Sequence, residues 1–357
     1  MLKNVDKLEK KYDYCGACTF YLGAVVVTLL CQALAGVVSS ALVRTYPNIA
    51  ENGDFNTAFM ICVQAFNVAF IVLFSKLNKY KFDFAFFDNG KKGGAVAPSA
   101  VVIPVIAAGL LLTGMYLPTI WYGYFTVYAL HVPPEFGQIN LSTTSSVVMI
   151  VIASVFLAPV CEEIIYRGTL FNGLKRERSA LNAVLLSSLA FMLMHMSHAQ
   201  VVFQFALGVV SAFVMLKSGR LLPSIIMHAT ANSLALVIEL TPLAISLEHC
   251  VAWLTANVAA AFFITVGLLA VCGAALFFLV KYGFDLPEIL KRKRNGDVAT
   301  DTESPCGASD VADAQTPATV KDEAVAAARR KDGTFRFWTG IVICAVLLVI
   351  NLIVSVL

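Results

Sequence analysis

The amino-acid sequence predicts an all-α, polytopic membrane protein. Of its 357 residues, 59% are hydrophobic and 14% are charged, and the mean hydropathy is +0.78. Soluble domains are about half apolar and about a quarter charged, so this composition excludes an ordinary soluble protein. The apolar residues also fall into runs, and most of these runs are long enough to cross a hydrocarbon core of about 30 Å as helices.

The predicted spans come from nine apolar segments. The first eight form a membrane bundle predicted over residues 1–282, and the ninth is a separate transmembrane helix predicted at 336–357. The third segment contains prolines and leads into the aromatic stretch Tyr116–Tyr128, which is typical of a membrane interface. The segments lie at approximately 18–43, 56–75, 97–117, 145–173, 180–197, 201–216, 221–242, 250–280 and 337–357.

Lysine and arginine placement predicts the orientation of these spans. Basic residues cluster in the N-terminal tail and after the second, fourth, sixth and eighth segments, whereas the intervening connections hold almost none. Because basic loops stay on the cytoplasmic side, the N-terminus is predicted in the cytoplasm and the C-terminus outside, in the cell membrane. The basic clusters flank membrane segments, so no nucleic-acid partner is predicted.

Residues 283–335 differ in composition from the rest of the chain. They are rich in Pro, Asp, Glu, Ala, Thr and Lys and poor in large apolar residues. Such a composition is typical of a disordered segment, so a cytoplasmic linker is predicted, with a short helix near Val320–Arg330. The helix beyond it is either a simple anchor or a span that regulates the bundle or binds a partner.

Two adjacent acids, Glu162 and Glu163, lie inside the fourth apolar segment. A carboxylate at the bilayer centre costs about 2.5–3.5 kcal/mol on insertion scales, so two of them require a reason. Glu163 and Arg167 are four residues apart on one helical face, where their charges can pair. A structural ion pair explains these two residues but leaves Glu162, which points about 100° away, free for another task.

Three further polar residues occur in later spans: His195, His228 and Asn232. A lone buried histidine is often structural, and a His–Asn pair four residues apart can hold two helices together. A rise of 1.5 Å per residue places Glu162 roughly 20 Å, His195 roughly 22 Å and His228 roughly 12 Å from the cytoplasmic boundary. These similar depths predict one water-filled cavity shared by three helices.

Such a cavity has the groups needed for hydrolysis. A buried carboxylate can act as a general base toward water, while an imidazole orients that water or relays its proton. A second imidazole and an amide can donate hydrogen bonds to an oxyanion. Alternatively, Glu162, His195 and His228 could hold zinc with one position open to water. The sequence lacks the His-Glu-x-x-His pattern of soluble zinc proteases, so no cofactor is favoured.

Three motifs occur in order on separate spans: Glu-Glu-x-x-x-Arg at 162–167, Phe-x-x-x-His at 191–195 and His-x-x-x-Asn at 228–232. This set resembles that of the CPBP intramembrane endopeptidases, the CAAX proteases and bacteriocin-processing enzymes also called the Abi family. The resemblance covers about residues 145–240, the predicted protease core. It implies an eight-helix intramembrane protease bundle with a conical cavity open to the membrane and the cytosol.

The resemblance also implies roles for the motif residues. Glu162 matches the family's catalytic glutamate, the base that activates water, with His195 beside it. His228 and Asn232 match the pair proposed to stabilise the oxyanion. The remaining two motif residues match supporting positions: Glu163 and Arg167. Members of the family are described as glutamate-type proteases or as metalloproteases.

The implied partners are the lipid bilayer and a peptide or lipidated protein substrate. Eukaryotic members of the family trim the last three residues from prenylated CaaX proteins, and many bacterial members process peptides or confer immunity to them. The favoured hypothesis is therefore an intramembrane endopeptidase. The alternatives are a non-proteolytic membrane scaffold or bacteriocin-immunity protein, and a transporter in which Glu162 and His195 relay protons.

Overall fold

The structure, a computed structural model, describes residues 13–46, 53–77, 98–129, 131, 143–284 and 320–356. This part of the chain is 93% helical and contains no strand. Within it, eight helices are long and apolar enough to cross a membrane. The prediction of an all-α, polytopic membrane protein is confirmed.

The described helices follow the predicted apolar segments in chain order, and a 3₁₀ turn, His198–Gln200, precedes the sixth. Their bounds are α1 (Tyr14–Thr45), α2 (Gly53–Leu77), α3 (Ser99–Ala129), α4 (Thr144–Glu177), α5 (Ala180–Met194), α6 (Val201–Ser218), α7 (Leu221–Leu240), α8 (Leu243–Ala256), α9 (Val258–Tyr282) and α10 (Val320–Val356).

The predicted eighth span, 250–280, is divided between α8 and α9. Asn257 breaks the helix because its backbone leaves the helical region, at φ −123° and ψ 60°. Its side-chain amide donates to the Trp253 carbonyl over 2.8 Å and so caps the end of α8. The span itself is α9, of 25 residues. By contrast, α3 is one continuous helix although it contains Pro104 and Pro118.

The short helix predicted near Val320–Arg330, inside the linker 283–335, is part of a longer helix. Residues 320–335 belong to α10, which runs without a break to Val356. Alanine, arginine, lysine and glutamate dominate Val320–Lys331, and these residues favour helix. Ion pairs also hold this extension: Arg329 contacts Asp13 and Arg330 contacts Glu177, each over 2.6 Å. Residues 285–319 lie outside the described ranges.

Helix α4 occupies the middle of the bundle and packs against α1, α2, α5 and α7. It is a continuous helix with two π-helical stretches, 151–157 and 164–171, on either side of the regular turn Ala158–Glu163. π-Helical turns inside α-helices are rare and occur frequently at functional sites. The two acids of the first motif lie in the short turn between them.

Helices α5 and α6 pack closely through a glycine. A Cβ atom at Gly208 of α6 would lie 2.9 Å from Ser188 Cβ and 3.0 Å from Ser188 Cα of α5. Real Cβ contacts are essentially never that short, so only glycine permits this approach of the two backbones. The contact fixes α5, which carries His195 at its end.

We expect Gly208→Ala to destabilise the protein. The added methyl group would push α6 away from α5, and overpacking of this kind costs about 1–3 kcal/mol. Gly267→Ala in α9 is the matched control, because a Cβ there meets no atom within 4 Å. Thermal unfolding in detergent should show a lower midpoint for Gly208→Ala than for Gly267→Ala. Equal midpoints would contradict the close packing.

Candidate active site

Glu162, His195 and His228 converge from three helices. The Oε2 atom of Glu162 lies 4.0 Å from His195 Nε2 and 3.8 Å from His228 Nε2. The Glu162 and His195 side chains are each 20% exposed, whereas that of His228 is 2% exposed. The cluster is therefore reached from one side, along Glu162 and His195, while His228 forms its inner wall.

The ring of His195 is oriented by its own helix. His195 is the C-terminal cap of α5, and its Nδ1 lies 2.9 Å from the Phe191 carbonyl oxygen one turn earlier. Because a carbonyl only accepts, Nδ1 must carry the hydrogen. The neutral ring then presents an unprotonated Nε2 to Glu162.

The ring of His228 is oriented by Glu163. His228 Nδ1 lies 3.0 Å from Glu163 Oε1, and the same oxygen accepts from Arg167 Nη1 over 2.9 Å. Ser224, one turn before His228 on α7, donates to Glu163 Oε2 over 2.7 Å. Glu163 and Arg167 are fully buried. Both carboxylate oxygens are thus bound, and His228 is left with Nε2 facing Glu162.

Phe191 packs at the centre of this network. The Arg167 guanidinium carbon lies 4.4 Å from the centre of its ring, a cation–π contact. Its ring meets the two imidazoles edge to face, with centroids 4.8 Å from His195 and 5.6 Å from His228. The ring is fully buried. It therefore sets the spacing between the two imidazoles and covers Arg167.

Asn232 lies one turn beyond His228 on α7. Its Nδ2 donates over 2.7 Å to the Ser154 carbonyl in the first π-helical stretch of α4. This bond ties α7 to the helix that carries Glu162, and it uses one of the two amide hydrogens. Of the four predicted catalytic residues, three converge through their side chains, while Asn232 is engaged with the backbone beside them.

The predicted zinc ligands do not form a metal-binding group as they stand. No group of three or more His, Cys, Asp or Glu in the described ranges is arranged to hold a metal ion. Tetrahedral ligation with Zn–N and Zn–O bonds of about 2.0–2.2 Å would bring the donor atoms closer together than the 3.8 and 4.0 Å seen at Glu162.

Two features of the site were not predicted from the sequence. The first is Ser224, although its position four residues before His228 placed it on the same face of α7. The second is the bond between Glu163 and His228, which joins residues 65 apart in the chain. The spacing of Glu163 and Arg167 indicated an ion pair within one helix, but it carried no information about a third partner on α7.

The fold and the site define a polytopic α-helical membrane protein with a polar cluster inside its bundle. Residues 144–234 match the family model described as "Type II CAAX prenyl endopeptidase Rce1-like". "Putative membrane peptidase YdiL" of Bacillus subtilis (strain 168) is 27% identical over 125 residues. That match covers 35% of this chain and 51% of the relative. The resemblance to the CPBP family is confirmed, and no solved structure matches the chain.

We expect Arg167→Met to destabilise the fold strongly. The substitution leaves Glu163 buried without its cation, and breaking a fully buried pair costs about 3–5 kcal/mol. Arg330→Met is the matched control, since it removes an ion pair with Glu177 in which the arginine is 64% exposed. Thermal unfolding and folded yield in detergent check this. A loss no larger than that of the control would contradict the structural role of the buried pair.

Proposed function

We propose that this protein is an intramembrane endopeptidase that hydrolyses a peptide bond of a membrane-associated protein or peptide. The observation that carries the proposal is the position of Glu162 Oε2 between two imidazole Nε2 atoms, each about 4 Å away. The family match over 144–234 supports the same reaction class. The Glu162 carboxylate, whose side chain is 20% exposed beside the two imidazoles, is the group best placed to activate water.

In the proposed reaction, Glu162 and His195 hold the attacking water. The distances from Glu162 to the imidazoles are too long for direct hydrogen bonds but suit a bridging water molecule. His195 Nε2 accepts one hydrogen of this water and orients it, while Glu162 takes the other proton as the oxygen attacks the scissile carbonyl carbon. A carbon–oxygen bond forms, and the carbonyl oxygen becomes an oxyanion.

His228 and Asn232 are proposed to stabilise that oxyanion. With His228 protonated, its Nε2–H donates to the oxyanion while Glu163 holds Nδ1. The second amide hydrogen of Asn232 supplies a further donor, since the first is bonded to Ser154. When the intermediate collapses, the carbon–nitrogen bond breaks. Glu162 then returns its proton to the leaving amine and regains its charge.

The charges of the cluster balance when Glu162 is ionised and His228 is protonated. Glu162 and Glu163 carry two negative charges, and Arg167 and protonated His228 carry two positive ones. A neutral set of paired ions is far less costly in a low-dielectric interior than an unpaired charge. Because Glu163 and Arg167 neutralise each other, the charge of a protonated His228 is balanced by that of Glu162, and the cluster carries no net charge.

The substrate class follows from the family rather than from the cluster. We propose a prenylated, CaaX-type protein or a membrane-associated peptide, cleaved from the cytoplasmic side of the cell membrane. The Lys and Arg distribution supports this orientation, with the N-terminus in the cytoplasm. The mechanism proposed is of the glutamate type, and the ninth span and linker lie outside the matched region.

We expect Glu162→Gln to abolish cleavage while the protein stays folded. Removing a general base lowers turnover by at least about 10²-fold. Purified protein would be assayed with a fluorescent, farnesylated peptide ending in a CaaX sequence, and Glu239→Gln is the control, an exposed glutamate on α7. A non-proteolytic scaffold instead predicts that Glu162→Gln lowers thermal stability and leaves biological activity intact. Unchanged cleavage in Glu162→Gln would refute the proposal.

We expect Asn232→Ala to reduce turnover by about 10²–10³-fold, the usual loss for one oxyanion donor. Expression should stay close to that of Asn182→Ala, in which an exposed asparagine of α5 is removed, and the thermal midpoint should fall only as far as loss of the one bond to Ser154 explains, about 0.5–1.5 kcal/mol of stability. The kcat of each variant on the same peptide checks this. If Asn232→Ala loses stability and keeps its kcat, the residue only ties α7 to the Ser154 carbonyl.

A further inference from the structure

Asn351 is a polar side chain in the apolar half of the last helix, near the end of that helix at Val356. An amide in a membrane span is costly unless it is hydrogen-bonded, and it usually faces the protein interior. Asn351 is half-buried and lies on the face of α10 that packs against the bundle. The group that binds the Asn351 amide therefore indicates which part of the bundle α10 supports.

Helix α10 is fixed along its length against α1. Phe337, Ile341 and Cys344 are buried on one stripe of α10. The Tyr21 ring of α1 packs directly on the α10 backbone at Gly340, where a Cβ atom would lie 2.6 Å from that ring. This stripe continues to Asn351, which is seven residues after Cys344 and so on the same face.

Near its C-terminal end, α10 contacts the turn that follows α5. Asn351 Nδ2 donates to the Met196 carbonyl over 2.8 Å. Two turns before Asn351 on α10, Cys344 Sγ lies 3.9 Å from Met194 Sδ of α5. Residues before and after His195 are therefore both in contact with α10.

The turn itself needs such support. Met196 has φ 48°, a left-handed conformation that costs a non-glycine residue about 1–3 kcal/mol and persists only where surrounding contacts hold it. The backbone N–H of Met196 donates to Leu193, and that of His195 donates to Met192, each over 3.2 Å. These bonds close the end of α5 on one side, and Asn351 holds the Met196 carbonyl on the other.

We infer that Asn351 is a positioning residue for His195, so that the C-terminal helix is part of the active-site scaffold. The inference rests on the proposed function, because it assigns to α10 the task of holding His195 Nε2 at its distance from Glu162. Asn351 lies far outside the matched segment 144–234. The catalytic arrangement of this chain would then depend on a helix that the family match does not include.

The test compares Asn351→Leu, which keeps the size and removes the donor, with Asn351→Gln, which keeps a donor. Thr339→Ala is the control, because the half-buried Thr339 hydroxyl donates within its own helix, to the Phe335 carbonyl. Each full-length protein is measured for kcat and KM on the farnesylated CaaX peptide, for its thermal midpoint, and for amide hydrogen exchange over residues 192–200.

Asn351→Leu should lower kcat by about 10- to 100-fold with little change in KM, because a displaced catalytic group slows chemistry more than binding. Exchange over 192–200 should be faster than in Thr339→Ala, and Asn351→Gln should recover part of kcat. Wild-type kcat and exchange in Asn351→Leu overturn the inference, as does a lower thermal midpoint with unchanged kcat. The exchange measurement tests whether Asn351 holds the turn at Met196 even if Glu162→Gln shows that the protein is not a protease.

Discussion

The buried carboxylate of Glu163 is the constraint on which the rest of the site depends. It is fully buried, and its oxygens are bound by Arg167 within α4 and by His228 and Ser224 on α7. A charge in this position is tolerated only if such partners surround it, so the bonds that neutralise it also lock α7 onto α4. The same bonds direct His228 Nε2 toward Glu162.

The adjacent glutamates thus have different environments although they are neighbours in sequence. Glu163 is saturated with hydrogen bonds, whereas Glu162 keeps part of its surface exposed and has no direct bond to either imidazole among the described contacts. One acid stabilises the architecture and the other stays available for chemistry. Both acids lie in the regular helical turn of α4, where adjacent side chains point about 100° apart, so one faces α7 and the other faces the two imidazoles.

The sequence predicted the class of fold and the residues of the cluster better than it predicted their connections. Hydropathy located the membrane segments, because twenty apolar residues carry a strong signal. Helical spacing indicated the Glu163–Arg167 pair, because residues four apart on one helix are neighbours. It could not indicate the contact between Glu163 and His228 or the Asn351–Met196 bond, since these join distant parts of the chain. The short helix near Val320–Arg330 was predicted, but its continuity with the last span was not, because the polar composition around it resembles that of a linker.

The central claim is that Glu162 activates water directly and never bonds covalently to the substrate. Cleavage of the farnesylated peptide in H₂¹⁸O over several turnovers, followed by mass spectrometry of both product and protein, tests it. We expect one ¹⁸O atom in the new carboxylate of the product and none in the protein fragment that contains Glu162. Incorporation of ¹⁸O into that fragment would contradict the account, because it would mean that the glutamate itself attacks the peptide bond.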